Sequence, residues 1–334
     1  MARYNIILPV RNCGNYLKEC VNSILQQSLP GFKLKVLDNC STDGSLEWIK
    51  SINDDRIEIY PASTPLSIEE NWGRITSIPK DEFITLIGHD DILHQNYLSV
   101  IDNLINKYPE ASLYQTHFRY IDASGKIIRH CKPMDEIQSA PEFLSFFLMN
   151  MIDVMGTGFM MRAKDYDEIG GIPAYPNLLF ADFELWINLT KKSFRATAFE
   201  ECFSYRLHSS ATTKSPDVKF QQAFNRFINY FHTLSDEDPE MRMVIERYAL
   251  HFIGFYAKGL SHRLLRTPKN KREGLSVNNF LRQCKLYADL LVPGNDFNPE
   301  KQFSVRLARQ IDSNAITRNL FLAFKKINPK PVYS

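Results

Sequence analysis

The chain lacks several features that would decide its class at once. Its six cysteines form no Cys-x-x-Cys pair, which argues against a zinc site or a disulfide framework. No apolar run is long enough to span a membrane, so we expect no transmembrane helix. The first residues lack the charged start, apolar stretch and cleavage site of a signal peptide. These absences together predict a protein of the reducing cytoplasm.

Neither sign of charge dominates the whole chain, whose formal net charge is +2. The balance is uneven, however: residues 216–334 hold 19 Lys and Arg against 11 Asp and Glu, whereas residues 1–215 hold 21 against 27. A basic region favours anionic membrane surfaces or nucleic acid, but solvated helix faces explain it as well. No aromatic and basic motif of the RNA-binding kind is present, so we expect no nucleic-acid partner.

Short apolar runs alternate with helical periodicity in the first part of the chain, which is typical of βα units around a mostly parallel sheet. Strands are predicted at residues 4–10, 34–38, 56–60, 83–88, 112–120, 154–161 and 196–207. Beyond Pro216 the periodicity is helical. We therefore predict an α/β domain over residues 1–215 and a helical C-terminal appendage over residues 216–334.

Polar clusters follow three of the predicted strands. They are Pro9 to Asn12, Asp38 to Asp43, and the pair Asp90 and Asp91. Open parallel sheets bind ligands at the C-terminal ends of their strands, so these clusters are candidate binding residues. Adjacent carboxylates at the end of a buried strand suit Mg²⁺ or Mn²⁺, which takes oxygen ligands and bridges phosphates. The pattern predicts a metal-dependent transferase that uses a nucleotide sugar.

The same segments resemble motifs of the family 2 glycosyltransferases, which have the GT-A fold, over roughly residues 4–210. The segments are Ile7-Leu8-Pro9-Val10-Arg11-Asn12, Val36-Leu37-Asp38-Asn39-Cys40-Ser41-Thr42-Asp43, His89-Asp90-Asp91, Asp182-Phe183-Glu184-Leu185-Trp186 and Tyr205-Arg206-Leu207-His208. They are similar to the family's opening strand, its nucleotide-binding turn, its DxD-type motif, its E-D-x-x-L-W signature and its closing Y-R-x-H. The resemblance implies an inverting glycosyltransferase of the bacterial surface-polysaccharide type. It would move a sugar from a nucleoside diphosphate to a hydroxyl of a glycan or a lipid-linked glycan.

The resemblance also implies how a divalent cation, Mn²⁺ or Mg²⁺, is held. Asp91 would bind the cation, which neutralises the diphosphate of the leaving group. Asp90 would accept hydrogen bonds from the ribose hydroxyls or from a metal-bound water. His208 would approach the metal or the pyrophosphate. Arg206 would be either a phosphate partner or a surface residue.

Four residues would line the nucleotide pocket by the same resemblance, namely Pro9, Arg11, Asp38 and Asn39. Asn39 stands where the family usually has a second carboxylate. Its amide oxygen can accept from a pyrimidine N–H, but its amide group also donates. Asn39 therefore leaves the choice between UDP, dTDP and a purine nucleotide open, although UDP and dTDP are favoured.

Asp182 would be the general base that takes the proton of the acceptor hydroxyl. Glu184 is a rival, but residues 182 and 184 lie about 200° apart on a helix, so only one can face the cleft. Trp186, at i+4, shares the face of Asp182 and would line the sugar site. We favour Asp182 and expect Glu184 to be solvated.

Two alternatives belong to other classes. A sugar-phosphate nucleotidyltransferase would need a glycine-rich basic loop, and Arg11-Asn12-Cys13-Gly14 is too sparse for one. A non-catalytic binding or scaffold protein would have no physical reason to keep the buried charges of Asp90, Asp91 and Asp182.

Two segments join basic to apolar residues, at residues 262–272 and 320–326. Peripheral docking on the inner face of the cell membrane would suit an enzyme with a lipid-linked acceptor. A packed helical lid or a dimer surface explains the same residues.

Overall fold

The computed structural model describes residues 2–208 and 216–328. Its strands are β1 (Tyr4–Val10), β2 (Phe32–Asp38), β3 (Ile57–Ile59), β4 (Phe83–Leu86), β5 (Ile92–Leu93), β6 (Leu113–Ile121), β7 (Ile127–His130), β8 (Ile137–Gln138), β9 (Phe159–Arg162) and β10 (Arg195–Arg206). The helices up to β10 are α1 (Tyr16–Leu25), α2 (Ser45–Ser51), α3 (Ile68–Gly73), α4 (Tyr97–Lys107), α5 (Ala140–Leu148), α6 (Ala163–Glu168) and α7 (Ala181–Lys192). After β10 follow α8 (Asp217–Glu237), α9 (Pro239–Arg266), α10 (Val277–Leu291), α11 (Phe303–Ser313) and α12 (Ala315–Ile327).

The strands form one mixed sheet in the order β3-β2-β1-β4-β9-β6-β10-β5, with β7 beside β6 and β8 beside β10. The first four strands in this order are parallel, as the βα periodicity predicts. Strand β9 is antiparallel to both of its neighbours, β4 and β6, so that β6 and its parallel neighbour β10 run in the direction of β4. The α/β prediction is confirmed, and the C-terminal ends of β1, β2, β4 and β10 share one edge of the sheet.

Helices α1 and α4 bury apolar stripes at helical spacing. In α1 these are Leu17, Cys20, Val21 and Ile24, each at most 1% exposed. Burial of such side chains contributes roughly 1.5–3 kcal/mol each. Strand β1 buries all of its residues, so it is a nearly continuous apolar run and not an alternating one.

The predicted strand at residues 154–161 is shorter than expected, because only Phe159–Arg162 is a strand. Gly158 just before it has a φ of +81°, and a Cβ there would lie 3.0 Å from the ring of Phe203. The chain thus turns sharply past a packed aromatic ring, which only glycine permits without strain. Residues 154–158 form a loop at the site edge instead.

The chain divides into two compact units. The first comprises Met1–Phe143 and Ile152–His208, and the second comprises Leu144–Met151 and Ser209–Ser334. The second unit is helical, and its core contains an aromatic cluster in which Phe252 lies 5.5 Å from Phe147 and 5.9 Å from Phe224 between ring centroids. The predicted boundary after Ser215 falls outside the described residues, and the two-domain division there stays a prediction.

Candidate active site

The shared edge of the sheet brings together residues that are far apart in sequence. Asp38 ends β2 and pairs in register with Val10 at the end of β1. Asp90 and Asp91 follow β4 after a short loop, and His208 follows β10. Parallel alignment of these strands therefore explains why Asp90 and His208, 118 positions apart, converge. A hydrogen bond between Asp90 and His208 closes the cluster.

Asp91 is buried, with 2% of its surface exposed, and both of its carboxylate oxygens are bonded. One accepts from the hydroxyl of Thr157 at 2.7 Å, and the other accepts from the backbone N–H of Arg206 at 3.0 Å. Burial, followed by the neighbouring charge of Asp90, raises the pKa of Asp91 well above its ordinary range. Asp91 thus ties the β4 loop to β10, and its expected role as a cation ligand stays a prediction.

Asp90 is the accessible carboxylate of the pair. Its side chain is 21% exposed, that of His208 is 20% exposed, and Asp90 Oδ2 lies 2.6 Å from His208 Nε2. A Cβ on Gly88 would lie only 2.7 Å from Asp90 Oδ1, so glycine leaves the room that this carboxylate occupies. An oxygen and an imidazole nitrogen thus face each other at the site edge.

Arg206 is neither a surface residue nor a free phosphate partner. Its guanidinium lies 4.6 Å from the ring centre of Tyr16, and its Nη2 donates to Glu19 at 2.5 Å. Its Nε donates to the backbone carbonyl of Asp90 at 2.8 Å. The Arg206 side chain is only 1% exposed, and its hydrogen bond to Asp90 fixes the backbone of the loop after β4.

The expected nucleotide pocket is built around the backbone of Leu66. The Asn39 side chain donates to the carbonyl of Leu66 at 2.9 Å and accepts from its N–H at 2.8 Å. Arg11 donates to the same carbonyl at 2.7 Å. Asn39 is 2% exposed, and both functions of its amide are engaged by Leu66. Sequence alone could not show this, because Leu66 lies 27 residues away in an irregular segment. That Asn39 faces the base stays a prediction.

Asp38 and Pro9 are the other expected members of this pocket. Asp38 is 1% exposed, and its carboxylate accepts from the backbone N–H of Ser41 at 3.3 Å, which shapes the turn after β2. Pro9 is buried in β1 opposite Leu37. Both lie at the site edge, and neither exposes much of its side chain.

Asp182 lies in the first turn of α7. A Cβ on Gly156 would come within 3.6 Å of its Oδ2, so the glycine leaves one side of the carboxylate uncovered. Although Asp182 keeps some solvent exposure, the packing around it raises the pKa of its carboxyl to about 7. Such a carboxylate is half protonated near neutral pH and is suited to taking a proton.

The rival and the expected aromatic partner of Asp182 are placed differently from the prediction. Glu184 is partly buried and accepts a hydrogen bond from the phenol of Tyr175, so it is not the solvated residue that we expected. Trp186 is fully buried, stacks on Phe159 with centroids 4.4 Å apart and donates to the carbonyl of Met155. The expectation that Trp186 lines a sugar site is wrong, because Trp186, one turn after Asp182 on α7, is packed in the core.

The loop before α7 is held in an unusual backbone conformation. Asn177, Leu178 and Phe180 have φ values of 54°, 55° and 68°, although none is glycine. Such conformations cost of order 1–3 kcal/mol each and persist only where surrounding contacts impose them. Glu69 of α3 supplies one such contact, since its Oε1 accepts from the N–H of Asn177 at 2.7 Å.

Tyr205 is the first residue of the Tyr205-Arg206-Leu207-His208 motif, and it lies near the site carboxylates although the motif indicates no role for it. Burial, then the charges of Asp91, Asp90 and Asp182, raise the pKa of its phenol. Its ring meets that of Tyr120 edge-on at 5.8 Å. Tyr205 therefore lies close enough to Asp90 and Asp182 for both carboxylates to act on the pKa of its phenol.

The residues fit a divalent cation only in part. Within the described ranges, no group of three or more His, Cys, Asp and Glu side chains is arranged to hold a metal ion. Asp90 and His208 offer one oxygen and one nitrogen ligand. Mg²⁺ is commonly bound by one or two carboxylates together with substrate phosphates, so two protein ligands are compatible with a cation that arrives with its nucleotide.

The curled, mostly parallel sheet and the acidic site at its edge define a glycosyltransferase of the GT-A type. More particularly, residues 5–170 match the family described as glycosyl transferase family 2, and the chain belongs to this family. Both the predicted family and the predicted enzyme class are therefore confirmed.

The curated relatives are bacterial. An uncharacterized glycosyltransferase of Rickettsia conorii is 26% identical over 242 residues, which span 70% of this chain but only 39% of the relative. A second Rickettsia relative is likewise matched over 39% of its length. TuaG of Bacillus subtilis, a glycosyltransferase assigned to teichuronic acid biosynthesis, is 25% identical over 63% of this chain and 81% of its own.

Solved structures share the fold at low sequence identity. Residues 1–349 of S. aureus TarS in complex with UDP-GlcNAc match with a TM-score of 0.64 and 13% identity, over 98% of this chain and 92% of that one. The Pyrobaculum calidifontis mannosyltransferase PcManGT, in complex with GDP-Man and Mn²⁺, matches with a TM-score of 0.51 and 11% identity, over 97% and 88%.

Proposed function

We propose that this glycosyltransferase moves a sugar, with inversion, from a nucleoside diphosphate to a hydroxyl of a glycan or lipid-linked glycan. The observation that carries the proposal is the raised pKa of Asp182, on the same sheet edge as the accessible pair Asp90 and His208. A basic carboxylate and a cation-binding pair are the two elements that an inverting, metal-assisted transfer requires. One relative assigned to teichuronic acid biosynthesis supports the acceptor class, and the neighbours with bound UDP-GlcNAc or GDP-Man support the donor class.

In this proposal Asp182 accepts the proton of the acceptor hydroxyl while that oxygen attacks the anomeric carbon. The bond from that carbon to the diphosphate oxygen breaks, and its electrons leave with the nucleoside diphosphate. Glu184 is engaged by Tyr175 and is not the base. Arg206 and Asp91 keep the β4 loop in place beneath the reacting groups.

Asp90 and His208 would hold the divalent cation, Mn²⁺ or Mg²⁺, in place of the Asp91 assignment. The cation, when bound, supplies positive charge to the departing diphosphate. The engagement of both Asp91 oxygens supports this exchange of roles. Pro9, Arg11, Asp38 and Asn39 shape the nucleotide pocket, Arg11 and Asn39 through the Leu66 backbone.

UDP and dTDP remain the favoured nucleotides, and we propose that the enzyme works at the cytoplasmic face of a membrane. The six cysteines are free thiols, which fits a reducing compartment. No helix within the described residues is long and apolar enough to cross a bilayer.

Calorimetry with UDP, dTDP, GDP and CMP, each with Mn²⁺ and with EDTA, tests the donor class. We expect tight binding of one diphosphate only when Mn²⁺ is present. Binding that EDTA leaves unchanged would remove the cation from the proposal. Failure of every nucleotide to bind would remove the donor class and favour a non-catalytic scaffold.

A further inference from the structure

Helix α12 carries a row of large apolar side chains on its solvent side. Ile316, Leu320, Phe324 and Ile327, here named the α12 stripe, are 71%, 65%, 57% and 80% exposed. Their spacing of four, four and three residues places them on one helical face about 80° wide. The opposite face, which includes the buried Arg318, is the one that packs within the helical unit. Exposed apolar rows of this kind mark interaction surfaces.

The charge around the stripe indicates what covers it. Residues 301–328 hold six Lys and Arg and one acidic residue, Asp312. Two of the six pair with acidic residues just before this range, Lys301 with Asp296 and Arg309 with Glu300, and Arg318 is buried, so Lys325 and Lys326 supply the positive charge of α12. Asp312 is buried and already paired with Arg272 at 2.7 Å, so it offers no negative charge to a partner. Lys326 is exposed beside the stripe, where its long side chain can reach past the apolar row. Apolar residues bordered by lysine are typical of helices that lie in the surface of an anionic bilayer.

A second copy of the chain fits this surface less well. Two copies joined through α12 would bring together Lys325 and Lys326 of both, and like charges that face each other across an interface oppose association. Anionic lipid headgroups instead complement the lysines while the acyl region takes up the apolar row.

The other basic segment, at residues 262–272, lacks this arrangement. Leu264 and Leu265 are buried in α9, and Arg272 is paired with Asp312 inside the helical unit. Arg263 pairs with Asp217 at 2.8 Å. Of the two basic segments, only the one in α12 combines exposed apolar and basic side chains.

We propose that the α12 stripe, with Lys326, docks the protein on the surface of an anionic phospholipid bilayer. This docking surface would make the membrane contact of the proposed function, and the proposal rests on that function. The helix lies in the headgroup region, and no part of it crosses the bilayer.

Co-sedimentation of the full chain with vesicles tests this directly. We expect binding to phosphatidylcholine vesicles that contain phosphatidylglycerol, weaker binding without it, and loss of binding at high salt. The double variant Leu320→Ser with Phe324→Ser should bind at least about 10-fold more weakly. Lys326→Gln should weaken binding about 5-fold. These three residues are solvent-exposed, so circular dichroism should show unchanged helix content.

Met243→Ser is the matched control. Met243 is 64% exposed on α9, but Glu240 and Glu246 stand one turn to either side of it, so its replacement should leave vesicle binding unchanged. Equal binding by the wild type and the double variant would overturn the proposal, as would the absence of wild-type binding to anionic vesicles. A wild-type dimer that the double variant dissociates would overturn it in favour of self-association. The same variants should bind nucleotides with wild-type affinity in calorimetry. A failure of the docking proposal can therefore be distinguished from a failure of the proposed donor class.

Discussion

The carboxylate of Asp182 should set the pH dependence of transfer. Its pKa of about 7 means that the base is protonated below neutral pH, so the transfer rate should rise through about pH 7 and level off above it. Asp182→Asn should keep donor affinity and lower kcat about 10²–10⁴-fold. Initial rates between pH 5 and 9, with calorimetry of the nucleotide, measure both effects. An Asn variant that retains transfer would move the base elsewhere.

The same substitution should increase the free energy of unfolding, and the increase should depend on pH. Because the folded pKa lies above the usual value, ionising Asp182 costs folding free energy that is absent at low pH and complete above about pH 7. Asp182→Asn should therefore raise the free energy of unfolding by about 2 kcal/mol at pH 8 and by less at pH 5. Urea unfolding at the two pH values measures the difference. An equal effect at both would contradict the raised pKa.

Asp90 and Asp91 should respond differently to replacement. Asp90→Asn removes the accessible carboxylate, so Mn²⁺-dependent nucleotide binding should weaken about 10–100-fold while stability changes little. Asp91→Ala leaves the N–H of Arg206 without its acceptor and should cost about 1–3 kcal/mol of stability. Calorimetry and thermal unfolding of both variants separate the two roles. If Asp91→Ala folds normally and loses metal dependence, Asp91 is the cation ligand after all.

At the scale of elements, α3 connects the nucleotide side of the site with the loop that precedes Asp182. Leu66, held by Asn39 and Arg11, lies two residues before α3, and Glu69 within α3 accepts from Asn177. Glu69→Ala should release the strained loop and lower kcat about 5–30-fold with little change in nucleotide affinity. Glu69→Gln should restore most of kcat, because its amide oxygen can accept the same hydrogen bond. Steady-state kinetics with calorimetry of the nucleotide test this, and an Ala variant with wild-type kcat would contradict it.

Elements with strong local signals were predictable from sequence. The apolar stripe of α1 follows from its spacing, and the capping box of α3 follows from the Ser-x-x-Glu spacing of Ser67 and Glu70. Strands β5, β7 and β8 have only two to four residues, which is too few for a periodicity to be visible.

The positions of site residues were predictable where a motif directly follows a strand. They were not predictable where contacts with distant segments determine the position of a side chain. Asp90 and His208 follow strands at the edge where the motifs predict them, and Asp182 lies on a helix as expected, while their roles stay predictions. The engagement of Asn39, the burial of Trp186 and the position of Tyr205 each depend on segments 27 or more residues away. Local sequence carries no record of such contacts.

At the scale of the whole molecule, residues 144–151 belong to the helical unit although they interrupt the first one. Leu144, Phe147 and Leu148 are at most 9% exposed. A chain cut after His208 should expose these residues and self-associate. Replacing Phe147 and Leu148 by Ser in the cut chain should reduce that association, as gel filtration would show. A cut chain that is monomeric without these changes would show that the first unit accommodates the segment by itself.

The packing of the Phe147 ring also implies a delay between the synthesis of α5 and its burial. The ring packs against Phe227 and Phe252, the second of which is synthesised about 100 residues later. At typical translation rates of about 5–20 residues per second, the apolar side chains of α5 stay exposed for roughly 5–20 s before the residues that bury them are synthesised. During that interval the nascent chain offers a binding site to chaperones.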